Sequence, residues 1–198
     1  PVSLHNLRQS HMREIHAAPR PAMPRAWDPS DAHEHFAHLY TGLGPSELLA
    51  AMRRIFRSAR HHSIPPYIQD VLYKILVSGH SIGRHKCAGT DGDCARCAAR
   101  GRTCDDTLEH RFALCDVSAM LWVMVITRWN AATCQALDPT DLRITMLGDR
   151  GEQAQALTCG LWRMVHAATV WTIHRAAKTA HDNRGTRYVP PRADRLLL

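Results

Sequence analysis

The chain has 198 residues, of which 45% are hydrophobic and 22% charged, a balance that supports a folded body and excludes global disorder. No apolar run approaches the roughly 20 residues that a membrane-crossing helix needs; the longest spans only 117–127. The formal charge is +7, with 22 arginines and only three lysines (Lys74, Lys86 and Lys178). Arginine offers a permanent planar fork that fits phosphate and stacks on bases, which favours an anionic partner; an Arg-rich codon preference is the plainer account.

The first 44 residues read as a linker or irregular lead-in. Pro19, Pro21, Pro24 and Pro29 forbid a long helix there, although 31–41 could form a short one before the break at 42–45. Ser46 is a fair N-cap for a helix to about residue 58. Leu48, Leu49, Met52, Ile55 and Phe56 line one side of it, and Arg53, Arg54, Arg57 and Arg60 lie on or near the other. Pro65-Pro66 opens a second helix to about residue 78, with Tyr67, Ile68, Val71, Leu72, Ile75 and Leu76 as its core stripe. His61-His62 belongs to the loop between these helices.

Residues 84–106 are rich in Gly, Asp and Cys and cannot be regular. Leu108, Phe112, Cys115, Ala119, Trp122, Ile126 and Trp129 then repeat in steps of three and four, which predicts a helix broken near Cys115. Asp138–Asp141 is a turn. The last helix is predicted over about 152–178, with Leu157, Leu161, Met164, Ala168 and Trp171 as its buried stripe, followed by a basic tail over 185–198. The expected fold is mostly α: a small helical bundle over 45–184 with an embedded Cys3His zinc knuckle.

The knuckle rests on spacing. Cys94 and Cys97 are separated by two residues, and twelve residues later come His110 and Cys115. Two cysteines so spaced wrap one ion in a tight turn, and a His–Cys pair completes a Cys3His tetrahedron. Positions five apart on an α-helix differ by about 140°, so His110 and Cys115 cannot face one ion from an unbroken helix. The reading is therefore a short turn at His110, a kink, and a long helix from about Asp116. Such a site is closed by protein ligands, hence structural, and Zn2+ is the expected ion. Cys87 and Cys104 compete for a place in it; Cys134 and Cys159 read as core residues on helices. Thiols used this way fit a reducing compartment. The first five residues lack the basic flank and apolar stretch of a secretory leader. They also lack Met, so the chain reads as a segment of something longer.

At these residues the sequence resembles the zinc-binding region that follows the polymerase domain in LINE-type (non-LTR) retrotransposon reverse transcriptases. Ile64-Pro65-Pro66-Tyr67 through Leu76, followed by Gly79 to Arg84, is similar to the helix and basic turn before that family's knuckle. Cys94 and Cys97 match its first ligand pair. Asp106 through Cys115 resembles its segment ending in His and Cys, with Trp122 at the expected tryptophan. Leu161-Trp162-Arg163 through Arg175 resembles its closing helix, although His174 stands where a second Trp is expected and Asp182-Asn183-Arg184 is only a loose echo. The likeness covers about 46–184.

The resemblance implies a non-catalytic accessory module, intracellular and nuclear, that helps an upstream polymerase domain hold template RNA or target DNA. Arg84, Arg96, Arg100, Arg102 and Arg111 are the expected nucleic-acid contacts. No polymerase carboxylate pair is present in this segment; the adjacent Asp105-Asp106 lies in the knuckle loop. Two rival readings stand beside this one: a zinc-stabilised helical module that binds only protein, and a fragment of a zinc-dependent enzyme.

Overall fold

A computed structural model describes residues 36–77, 92–151 and 156–183. Arg84, Cys87, most of the lead-in and the basic tail lie outside them. The described residues are helical apart from loops and one isolated antiparallel bridge, Asp93 to Asp105.

A 3-10 turn over Ala37–Leu39 comes first. Phe36 and Tyr40, on either side of it, are buried in the main core, so the helical body begins before residue 45 and not after a linker that runs to 44. Helix α1 spans Pro45–Ala59. Its N-cap is Gly44 rather than Ser46: Pro45 takes the first position, where a missing N–H costs nothing. The Glu47 carboxylate accepts a hydrogen bond from the Gly44 N–H at 2.8 Å. Its buried side carries Leu48, Met52, Ile55 and Phe56, and its three arginines (Arg53, Arg54 and Arg57) and the C-cap Arg60 are exposed. Helix α2 (Pro66–Leu76) buries Ile68, Val71, Leu72, Ile75 and Leu76 as the spacing predicts. Tyr67 is the exception, half-exposed and edge-on to Trp171 at 4.8 Å.

The knuckle follows, containing the four-residue helix α3 (Ala95–Ala98) and a π turn over His110–Leu114. Helix α4 (Asp116–Thr133) starts where the kink argument puts it and buries Leu121, Trp122, Val125, Ile126 and Trp129. It ends at Cys134, which adopts a left-handed conformation (φ 55°) and is exposed rather than in the core. Helix α5 (Leu142–Leu147) is too short to show a period in the sequence. Asp141 caps it by accepting from the Arg143 N–H. Gly148 closes α5 at φ 68°, where a Cβ would meet the His166 ring at 3.0 Å.

Helix α6 (Ala156–Asp182) packs against α1, α2, α3, α4 and the π turn. Its buried face is not the predicted one. Trp162, His166, Ala167, Val170, Ile173, Ala176 and Ala180 point inward, whereas Leu161, Met164 and Ala168 are exposed and Trp171 is half-buried. Both stripes have helical spacing. The helix is apolar on much of its circumference, so the period sets the helix but leaves its rotation to the partners.

His166 lies in the core beside Trp122, with ring centroids 5.5 Å apart, and its Nε2 is 3.2 Å from the Thr145 carbonyl. Desolvation holds its pKa down, to about 4. Among the described residues no helix is long and apolar enough to cross a membrane.

Candidate metal centre

The knuckle is a loop held shut by its own backbone. The Cys94 N–H donates to the Cys104 carbonyl at 2.8 Å and the Asp106 N–H to the Gly92 carbonyl at 3.0 Å, either side of the Asp93–Asp105 bridge. After α3 the chain turns at Gly101 (φ 73°), a conformation open to glycine at little cost. The Cys97 carbonyl collects the N–H groups of Arg100 and Arg102 there.

The second ligand pair is set by the π turn. The Cys115 N–H donates to the His110 carbonyl at 2.7 Å, a bond spanning five residues, and Cys115 itself is extended (φ −60°, ψ 136°). This solves the geometric conflict in the sequence: the wider turn and the extended residue bring back to one side two positions that an α-helix would splay. Turns of this kind are uncommon and concentrate at functional sites. The Thr107 hydroxyl fixes the entry by accepting from the His110 N–H at 3.0 Å.

The donor atoms of Cys94, Cys97, His110 and Cys115 all lie within 4.8 Å of one another. The sulfurs of Cys94 and Cys115 are 3.9 Å apart, those of Cys97 and Cys115 3.8 Å, and Cys97 Sγ is 3.3 Å from His110 Nε2. A tetrahedral ion with metal–sulfur bonds near 2.3 Å places its sulfurs about 3.8 Å apart. The residues therefore fit one metal ion with all four positions filled by protein. Cys104 packs against the cluster but is outside the four; it contributes its carbonyl.

The backbone is arranged for thiolate. The N–H groups of Cys97 and Arg96 hydrogen-bond the Cys94 sulfur, and that of Val117 the Cys115 sulfur. The three thiols bias one another in opposite directions. Cys94 is held below the ordinary range by the Cys115 hydrogen bond. Cys115 is pushed up by that same bond and by burial, and Cys97 by burial and by the charge on Cys94. A divalent cation removes that competition, since coordination deprotonates all three.

The five arginines expected to contact nucleic acid divide. Arg100 and Arg102 are exposed at the rim, and both pair with Asp116. Arg96 and Arg111 are a correction: both are buried. Arg96 reaches under the knuckle and donates to the Ser118 hydroxyl at 2.9 Å and the Arg111 carbonyl at 2.5 Å. Arg111 pairs with Asp106. The reason is electrostatic and steric together. A cluster of sulfurs carries negative charge, and the end of the π turn exposes carbonyls, so a guanidinium lodged between them satisfies both. Arg84 lies outside the described residues.

No family model, no curated protein and no solved structure matches the chain.

Proposed function

We propose that this chain is a zinc-stabilised accessory module of a LINE-type reverse transcriptase, which holds template RNA or target DNA near an upstream polymerase domain and performs no catalysis itself. The observation that carries the reading is the closed four-ligand shell with Arg100 and Arg102 facing out from its rim. Three thiolates and an imidazole in a tetrahedron are the donor set that zinc prefers. A hydrolytic zinc keeps a position open for water; four protein donors leave none. Exposed ion pairs such as those of Arg100 and Arg102 with Asp116 are weak, so phosphate can take Asp116's place. Arg53, Arg54 and Arg57 along α1 and Arg60 at its C-cap, all exposed, add a second basic strip on the surface. A module with this job works in the nucleus.

Titration of the zinc-loaded chain with single-stranded RNA at two or more salt concentrations tests it. The expected result is affinity that falls steeply with salt, with a log–log slope of several units. Arg102→Ala lowers that slope by about one unit whatever the RNA sequence. Absent or salt-independent binding contradicts the reading.

A second reading draws on the outer face of α6, where Leu161 is 53% and Met164 46% exposed. That face suits a protein partner, the upstream polymerase domain of the same polypeptide in the first place. Leu161→Asp then weakens association with that domain supplied in trans and leaves the RNA salt slope unchanged.

A further inference from the structure

Between the knuckle and the C-terminal half of α6 lies a cavity of about 250 Å³. One wall carries Arg96 and Arg111, with Cys94 behind them; the other carries His174, Lys178 and His181 from α6. The donors on these walls outnumber the acceptors. Of the two carboxylates, Asp106 is engaged by Arg111, and Asp182 sits 58% exposed at the edge, 3.7 Å from His181. Lys178 pairs with no carboxylate among the described residues.

Arg96 supplies the second observation. It is 1% exposed, and its two terminal nitrogens are satisfied, yet its Nε–H has no acceptor. That nitrogen is sealed from solvent, so what Arg96 gives the cavity wall is a fixed positive charge held by its two terminal hydrogen bonds, not a free donor.

We propose that this cavity binds the phosphate group of a nucleotide, supplied either by the end of a nucleic-acid strand or by a free mononucleotide. Two guanidinium charges, an ammonium and two imidazoles around one space complement the negative charge of a phosphate, with Lys178 the exposed donor among them. The volume is below that of ordinary ligand pockets and suits one nucleotide rather than a length of strand. Arg96 and Arg111 come from the knuckle, so the phosphate site forms only when the metal centre is folded. The strand source deepens the nucleic-acid reading above and rests on it; the free nucleotide does not.

The test uses the full zinc-loaded chain, with inorganic phosphate and AMP as probes in calorimetric titrations. Lys178 is exposed on α6, so Lys178→Glu can be made without touching the core; Lys74→Glu on α2 is the charge-matched control. The expected result is that AMP binds, that Lys178→Glu weakens it about tenfold or more with zinc content and melting temperature unchanged, and that Lys74→Glu changes it by less than about twofold. Lys178→Arg retains binding. No binding of either probe at millimolar concentration, or equal affinity in wild type and Lys178→Glu, overturns the proposal.

A 5′-phosphorylated and a 5′-hydroxyl oligoribonucleotide then separate the sources. A preference for the phosphorylated strand that Lys178→Glu abolishes assigns the site to strand ends. AMP binding with no such preference assigns it to free nucleotide. Salt-dependent RNA binding with neither probe bound sinks the cavity proposal and leaves the nucleic-acid reading standing; AMP binding without RNA binding does the reverse.

Discussion

The knuckle and the helical bundle solve the same problem by different means. The bundle buries an extensive apolar core shared by α1, α2, α4, α5 and α6. The knuckle's own buried cluster is three cysteines and Val117, with Cys104 partly buried against it. Among the described residues its one α-helix has four residues and its strand-like pairing is a single bridge. Apolar burial contributes about 25 cal/mol per Å², and a loop of this composition has little to bury. What orders it is the convergence of four ligands, together with the anchorage of Arg96 and of the π turn. One region is held by buried side-chain carbon; the other brings four donor atoms to a spacing that fits one metal ion.

That contrast gives its sharpest prediction at a ligand. Cys97→Ser should lower metal affinity by well over the roughly 10–100-fold that loss of an outer hydrogen bond to a metal ligand costs, and should make 92–115 protease-sensitive. Far-UV circular dichroism should change little, because the long helices do not run through the loop. A full loss of helicity on metal removal would mean that bundle and knuckle are a single cooperative unit.

The converse variant is Ile75→Ala, at a fully buried position on α2. It should cost about 2–5 kcal/mol in denaturant unfolding with one metal still bound per chain. A metal content that fell with it would contradict the separation of the two regions.

The third prediction concerns acid. His166 is folded into the core with a pKa near 4 instead of its ordinary 6.5. Between those values the unfolded chain takes up a proton that the folded chain does not, so stability falls as pH falls through this window and levels off below it. The share from this residue is roughly 3 kcal/mol at most. Metal release also destabilises at low pH. Comparing wild type with His166→Gln isolates the core histidine, because the variant keeps the metal-linked share and loses the other. An unchanged pH profile in His166→Gln would remove His166 from the account.

That Cys94, Cys97, His110 and Cys115 come together is legible in the sequence, because a loop rich in Gly and Asp has no other reason to gather cysteines. The argument from helical angles also placed the kink at Cys115 and the start of α4. The arginines beside those ligands were misread, since an arginine in a polar loop is ordinarily solvated. Arg96 and Arg111 are buried because sulfur charge, the Arg111 carbonyl and Asp106 lie where only the folded knuckle puts them. The rotation of α6 was hidden for a different reason. Leu161, Met164 and Ala168 satisfy the helical period as well as Trp162, Val170 and Ile173 do. The true face also carries His166 and Thr169, polar residues whose partners on other segments no local pattern shows. Phe36 and Tyr40 fall within the expected lead-in because two aromatics four residues apart make no repeat that a sequence pattern can read.

The account depends on one ion held by Cys94, Cys97, His110 and Cys115, and X-ray absorption at the zinc edge on purified chain addresses it directly. The predicted result is one zinc per chain, with three sulfurs near 2.3 Å and one nitrogen near 2.0–2.1 Å, and no fifth ligand. A knuckle as protease-resistant without metal as with it, or a shell of oxygens in place of the three sulfurs, would contradict it.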